Sequence, residues 1–348
     1  MANPSDNNAS YIVPDDNPYA SDDPAFLTDS DSESATKSLS SSVLHYQYEN
    51  GRRYHAYKEG AYFLPNDERE QDRLDLHHHI CRLAIGGALF RAPINASDAR
   101  ILDLGTGTGI WAIQVADEFP GATVKGTDLS PIQPGYVPLN CHFEVDDFES
   151  TWEFAHKFDF IYARNLGGSL GNWPALYRNM ADNLNPGGWV EVVDFSGYLY
   201  SDDGTMENAP NITRWTKLLD EASAGFGKPL NIPHNHKQWM IDAGFKDVRE
   251  EIYKVSSTPS YNGHVQPDRR QIPTNPWPKQ PKMKELGRFQ QVNFLEGMEA
   301  HTLALLTRVL GWDPIEVQLL LAEVRKELTD RSIHSYAKFY FVYGQKPE

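Results

Sequence analysis

The hydrophobic pattern of the chain changes character near residue 100. Beyond it, short apolar runs alternate with stretches of helical spacing. RILDLG reads as a strand, GIWAIQVADEF as a helix, ATVKGTDLS as a second strand and CHFEVDDFE as a third. FDFIYARN (158–165) follows as a fourth strand and PALYRNMADNLN (174–185) as a helix, which PGG (186–188) breaks before the strand WVEVVDF. Apolar strands alternating with helices of roughly 10–15 residues specify an α/β fold with a doubly wound, mostly parallel sheet. Helices around 211–224 and 235–243 and the strand KDVREEIYKV (246–255) extend it. Six prolines between residues 256 and 281 then predict a long irregular loop. Helices over 283–310 and 314–328 follow, the second opened by Pro314 in its first turn, and the aromatic strand SYAKFYFVYG ends the pattern. The segment 256–330 reads as an insertion between the last two strands that caps the ligand edge of the sheet, where such folds bind their ligands.

Before residue 100 the pattern is looser. Helical spacing runs from about Glu68 to Phe90, with Leu74, Cys81, Ala84, Ile85, Ala88 and Leu89 tending to one stripe. The HHH run at 77–79 does not read as a metal site, because neighbouring helix positions diverge by about 100° and cannot converge on one ion. The stretch 45–73 sets Tyr46, Tyr48, Tyr54, Tyr57 and Tyr62 among charges and ends in a Pro-Asn-Asp turn. It is too aromatic for a linker and too polar for a core strand, so it reads either as a segment packed on a sheet edge or as a lid over a ligand.

Charge changes the picture at the N-terminus. The 348 residues carry 32 basic and 48 acidic side chains, a formal net of −16. Residues 1–40 alone hold eight acids and one lysine, a net of −7, in a Ser-, Asn- and Pro-rich context. Such a segment buries too little surface to offset its chain entropy, so residues 1–43 are expected to be a disordered acidic tail and 44–348 the folded domain. The acidic balance argues against direct nucleic-acid binding. No run approaches the roughly 18 apolar residues of a membrane span. With only Cys81 and Cys141, no CxxC and no signal-peptide pattern, a reducing cytoplasmic or nuclear setting is expected, without disulfide or zinc.

The candidate chemistry begins at ILDLGTGTGIWA (101–112). A dinucleotide turn G-x-G-x-x-G needs glycine where Ile110 stands, and a P-loop needs a Lys-Ser or Lys-Thr that is missing after Gly109. Asp103, two residues before Gly105, is awkward beside a pyrophosphate but favourable beside a cation. S-adenosylmethionine carries a sulfonium and an ammonium and no phosphate, and its carboxylate suits the N–H groups at a helix start. Asp128, ending the second strand, can accept from both ribose hydroxyls; Asp146 or Asp147, ending the third, can accept from an adenine amino group. D-x-G-x-G-x-G followed by an acid after each of the next two strands points to S-adenosylmethionine as the cofactor.

These residues carry a resemblance. The stretch 103–149 resembles class I methyltransferases and, in detail, the fungal LaeA-like group. The likeness spans roughly 44–347 and includes FDFIYARNLGGSLGNWPAL, LNPGGWVEV, NPWPKQPKMKELG and LGWDPIEVQLLLAEVRKEL. It implies a seven-stranded sheet, with helices on both faces, ending in an antiparallel strand. It also implies cofactor contacts at Asp103, Gly105, Gly107, Gly109, Asp128, Leu129, Asp146 or Asp147, and Arg164 or Asn165. It favours the lid reading, with Tyr54, Tyr57 and Tyr62 as participants. The group is associated with secondary metabolism and development, and some members act with regulatory protein partners.

Transfer of a methyl group from a sulfonium is an in-line displacement in which alignment and desolvation matter most. A general base is needed only for an acceptor that arrives protonated. His234, His236, His301 and His334 are the base candidates, though a histidine in such a position is more often a surface or packing residue. Trp173, Trp277 and Trp312 read as packing residues first, with an aromatic acceptor pocket as the alternative. Three functions stay open: methyl transfer to a small molecule or a protein, a cofactor-holding regulatory subunit without turnover, and a nicotinamide oxidoreductase.

Overall fold

The computed structural model describes residues 46–55, 57, 58, 60, 62–253 and 272–348. The acidic N-terminal segment, the expected start of order near Leu44 and most of the proline-rich loop lie outside the described residues.

The chain opens with a two-stranded antiparallel hairpin, β1 (Gln47–Glu49) and β2 (Arg52–Tyr54), then α1 (Glu68–Ala84). The alternating core follows: β3 (Arg100–Leu104), α2 (Ile110–Glu118), β4 (Thr123–Asp128), β5 (Cys141–Val145), β6 (Phe158–Arg164), α3 (Trp173–Asn183) and β7 (Leu184–Tyr200). After it come α4 (Pro210–Gly225), α5 (His236–Asp242), β8 (Lys246–Tyr253), the two-residue β9 (Ile272–Pro273), α6 (Pro281–Arg308), α7 (Pro314–Thr329) and β10 (Tyr336–Gln345).

The main sheet runs β5-β4-β3-β6-β7-β10-β8, with β9 on the flank of β10. β5, β4, β3, β6 and β7 are parallel, and β10 is antiparallel to both of its neighbours. The expected seven principal strands are therefore present, and β9 adds an eighth. From β3 the order runs outward to β4 and β5 on one side and to β6 and β7 on the other. The crevice outside the carboxyl ends of β3 and β6 is thus the topological switch point, where open α/β sheets bind ligands.

Alternating side chains of the parallel strands feed opposite faces. Ile101, Phe160 and Tyr162 pack with Trp111 and Val115 of α2 on one side; Leu102, Leu104, Ile161 and Ala163 pack with Leu176 and Met180 of α3 on the other. A third apolar cluster joins α4, α6 and α7 through Trp215, Leu219, Leu303, Leu306, Val317 and Leu321, and takes in Phe63 and Leu64 from the segment before α1. The two helices between β8 and β10 thus share a core with Phe63 and Leu64. Asp313 starts α7 with a reciprocal capping box to Glu316, ahead of Pro314 in the first turn.

Three expectations need correction. α1 ends at Ala84 rather than near Phe90, since Gly86 and Gly87 follow with φ of 75° and 94°. Its buried face keeps Cys81 and Ala84 of the expected stripe, with Ile80, but its N-terminal part is polar, carrying Glu70, Arg73, His77 and His78. β7 begins before the PGG turn, because Leu184 already pairs with Phe158; Gly187, at φ 74°, lets the chain bulge before pairing resumes at Trp189 and Phe160.

Candidate active site

The glycine turn leaves β3 at Leu104 and enters α2 at Ile110, and its three glycines all have positive φ. Their reasons differ. At Gly107 a Cβ would meet only the Leu74 side chain, at 3.4 Å, so the constraint is its φ of 59°; its N–H donates to Asp128 Oδ2 at 2.9 Å. At Gly109 a Cβ would lie 2.4 Å from the Phe143 ring, so this glycine lets α2 pack on β5.

Three carboxylates surround the turn. Asp103 is buried and accepts from Thr106 Oγ1 at 2.6 Å; burial pushes its pKa up to about 7, against the opposing pull of Thr106 and Arg164. Burial disfavours its charged form, and a cation beside it would restore that form. Asp128 accepts from Ser130 N and Gly107 N, each at 2.9 Å, which pulls against the upward shift from burial. Each of its oxygens keeps a second lone pair for a ligand hydroxyl. Asp147 is buried too, but Lys58, Glu149 N–H and Ser150 outweigh burial and hold it below the ordinary carboxylate value.

These groups line one pocket, with Gly105, Thr106, Gly107, Leu129, Arg164 and Asn165. Three residues singled out in the sequence stand off its wall. Gly109 packs on Phe143, and Asp146 accepts from the Asp147 N–H at 2.8 Å, leaving its neighbour to face the pocket. Tyr54 is buried beneath the Arg308 guanidinium, 5.2 Å from the ring centre. The pocket also takes residues that sequence reasoning missed: Asn66 (whose Nδ2 donates to Ser130 Oγ at 3.1 Å), Glu70 and His77. Asn66 and Glu70 lie in and just after the Pro-Asn-Asp turn, which read only as punctuation.

The segment before α1 is anchored rather than loose. Arg52 forks onto Asp67, itself the N-cap of α1, and Arg53 reaches Asn66 and Glu68. Tyr57 contributes its carbonyl to His55 Nδ1 at 2.6 Å, while Lys58 bonds Asp147, on the pocket wall, and Ser150. Of the tyrosines, Tyr62 lines the pocket, with a phenol that burial holds protonated.

A second chamber adjoins the first, and Tyr62, Leu64, Leu74, His77 and Asn165 line both. Its far walls come from the end of β7, from α4 and from α6, and they are mainly apolar: Phe195, Leu199, Trp215, Leu219, Phe294 and Met298. Asn165 marks the waist. It follows β6 with a φ of 56°, a conformation seldom adopted by residues other than glycine. Its N–H donates to Val193 O at 2.9 Å, and its buried side chain meets the His77 imidazole. His77 beside it is held neutral, well below the ordinary value, by burial and by Arg73 and Arg164.

Between the cavities runs a buried ion pair. Arg73 donates to Glu70 through Nε at 2.9 Å and Nη2 at 2.7 Å, and through Nη1 to Asn293 Oδ1 on α6 at 2.9 Å. Glu70 lines the first cavity and Arg73 the second.

The four candidate histidines separate cleanly. His301 lines the second chamber; its Nδ1 donates to Gly297 O at 2.7 Å, and burial with Arg73 lowers its pKa to about 4. His236 has no exposed surface: it sits behind Asp194, 3.1 Å from Oδ2, with its other nitrogen 3.0 Å from the Tyr177 hydroxyl. His234 is exposed, and His334 pairs with Asp203 beside Trp277. Trp173 stacks on Trp239, Trp277 donates to Ser335 O and Trp312 lies under Arg214, so all three are packing residues. The chamber's indole is Trp215. The HHH run splits as expected: His77 stacks on Phe339, His78 meets Arg164 and Gln114, and His79 abuts Phe289. Among the described residues no cluster suits a metal ion, and no helix is long and apolar enough to cross a membrane.

Comparison with known proteins decides the family. Residues 76–250 match the methyltransferase domain family. The chain is 41% identical over 318 residues to "Methyltransferase pytC" of Aspergillus terreus, covering 91% of this chain and 93% of that protein. It is 36% identical over 307 residues to "Secondary metabolism regulator LAE1" of Cochliobolus heterostrophus (86% and 94%). The chain belongs to the LaeA-like methyltransferases. The "Protein-methionine methyltransferase laeA" of Emericella nidulans is a further relative of this LaeA-like enzyme, 35% identical over 305 residues (86% and 76%). The LaeA-like chain is thus an S-adenosylmethionine-dependent methyltransferase, and the nicotinamide alternative falls.

Proposed function

We propose that this methyltransferase acts in fungal secondary metabolism, holding S-adenosylmethionine in the first pocket and the methyl acceptor in the second. The observation that carries the reading is the waist at which two cavities share Tyr62, Leu64, Leu74, His77 and Asn165. The bound cofactor supplies an electrophilic methyl group. The chain's own part is to place, dry and polarise. Asp128 takes the ribose hydroxyls, Asp147 the adenine amino group once Lys58 yields it, and Asp103 the cationic methionine end. Tyr62 and Leu64, from the lid segment, close the waist against water, and α6 with α7 roofs the acceptor chamber as a cap. A chamber lined by Trp215, Phe195, Phe294 and Met298 suits a small apolar acceptor better than an extended polypeptide. The names of two relatives favour a role among metabolic or regulatory methyltransferases, and the exposed face of the cap is available to regulatory partners.

Calorimetry with S-adenosylhomocysteine tests the cofactor assignment. Asp128→Ala removes charge-assisted bonds of roughly 1.5–3 kcal/mol each. The expected result is a 10- to 100-fold weaker affinity in a ligand-free protein that stays folded with a lower melting temperature, since Gly107 N–H and Ser130 N–H lose their acceptor. Unchanged affinity would refute the ribose assignment.

A further inference from the structure

Asp194 is the one carboxylate of the acceptor chamber that burial nearly closes off, at 2% exposed. It sits within β7, paired with Tyr340 of β10, at the level where Asn165 follows the end of β6, since Arg164 pairs with Val193 across the two strands. Its Oδ1 accepts from Gly167 N at 3.3 Å. Its Oδ2 faces His236 Nε2, and His236 Nδ1 faces the Tyr177 hydroxyl. His236 and Tyr177 have no exposed surface, and Trp173 packs edge-on against the imidazole at 4.5 Å. Three exchangeable groups are thus aligned behind the chamber wall inside an apolar cluster. A buried carboxylate needs a compensating partner, and a chain of this kind is a costly way to stitch a loop. It is a direct way to hold a base in one orientation, as a second group orients the first in acid–base sites.

The chemistry of the carboxylate points the same way. At the chamber wall Asp194 offers two oxygens that can only accept. They call for a hydrogen-bond donor on the ligand. A thioether has none to give; a hydroxyl or an amine does.

We propose that the acceptor is a small apolar molecule whose nucleophile bears a proton, an O–H or N–H, and that Asp194 receives that proton while His236 and Tyr177 hold the carboxylate in place. The proposal rests on the second chamber being the acceptor site. In the step, the O or N lone pair forms the bond to the methyl carbon and the carbon–sulfur bond breaks toward sulfur. The acceptor's proton passes to Asp194, whose negative charge it cancels as the sulfonium charge disappears. Neutral methylated product, neutral S-adenosylhomocysteine and neutral Asp194 remain, and the proton leaves to solvent when the product does. Asp194 is the group that touches the acceptor; His236 is a positioning residue.

The test uses the full chain with tritiated S-adenosylmethionine and three matched probes: 2-naphthol, 2-naphthylamine and 2-(methylthio)naphthalene, with a methionine-containing peptide as a fourth arm. S-adenosylhomocysteine affinity is measured alongside by calorimetry. Transfer to a protic probe and none to the thioether or peptide is expected. Asp194→Asn, which keeps the shape and can still meet Gly167 N–H, is expected to slow that transfer roughly 100-fold or more and to remove its fall toward acid pH. Its S-adenosylhomocysteine affinity is expected to stay within twofold, which also reports that the variant is folded. His236→Asn, the second variant, is expected to shift the pH profile with a smaller loss of rate. Equal or faster transfer to the thioether or peptide overturns the proposal. So does an Asp194→Asn rate within threefold of the parent, or no transfer to any probe with S-adenosylhomocysteine bound. Failure of the parent to bind S-adenosylhomocysteine overturns the cofactor reading instead, and this proposal with it.

Discussion

The two cavities meet at one waist yet are built on opposite principles. The cofactor pocket is a rim of short strand ends, where carboxylates are held by backbone N–H groups of the adjacent turn: Gly107 and Ser130 on Asp128, Glu149 on Asp147. The acceptor chamber is a space between secondary elements, walled by apolar side chains from the lid, β7, α4 and α6, where Arg73 and Asp194 are held by side chains of other elements, Asn293 and His236. Backbone donors fix a ligand's shape through geometry that few substitutions alter. Side-chain walls can be changed one residue at a time, which is how one scaffold would keep its cofactor while accepting different acceptors.

The largest test of that contrast strikes the partition. Arg73→Met leaves Glu70 as an unpaired buried charge between the cavities, and breaking such a pair costs roughly 3–5 kcal/mol. Urea denaturation is expected to show that loss, with much of it recovered in the Glu70→Gln/Arg73→Met double variant. Next comes Gly109→Ala, which combines a φ of 80° with a Cβ against Phe143. Roughly 1–3 kcal/mol of backbone strain alone is expected, read as a lower melting temperature together with weaker S-adenosylhomocysteine binding, since the turn cannot move without its α2. If stability falls and affinity holds, the turn is less rigid than the contrast requires.

A pH experiment sharpens the contrast further. Burial raises Asp103 to about 7, against Thr106 and Arg164, with Asp128 adding to the rise. In the ligand-free protein a raised carboxyl binds its proton more tightly than the unfolded chain does. Its contribution to stability is therefore present at acid pH and lost as pH climbs from the ordinary carboxylate range to about 7. A cationic ligand needs the ionised form. Affinity for S-adenosylmethionine should then rise with pH up to about 7, by as much as tenfold per unit below that point, and flatten in Asp103→Asn. The smallest effect is expected from Lys58→Ala. That pair is part-exposed, so the affinity should change by less than about threefold, mainly through faster dissociation in stopped-flow measurements.

The contrast also explains what the sequence made legible. Asp103, Gly107, Asp128 and Leu129 lie at strand ends, and strand ends follow from apolar periodicity, so local pattern reached them. It could not choose between Asp146 and Asp147, because the turn after β5 decides which carboxylate faces inward. Nor could it choose among tyrosines: the hairpin register turns Tyr54 toward Arg308, and the chain delivers Tyr62 to the waist some residues later. The chamber was unreadable for a stronger reason. Its residues come from separated stretches between Tyr62 and His301, and the polar face of α1 is covered by α6, where Arg73 meets Asn293. An amphipathic reading of α1 looks for leucines and passes over Glu70, Arg73 and His77.

α1 carries a consequence of its own. One rigid helix offers Glu70 to the cofactor side and Arg73 to the acceptor side, and the two are joined by a forked ion pair. A ligand that displaces either residue is felt at the other within three residues of backbone. Thermodynamic reciprocity then requires that whatever factor the cofactor applies to acceptor affinity, the acceptor returns to the cofactor. Order of binding and release in this enzyme would thus be written into the face of a single helix.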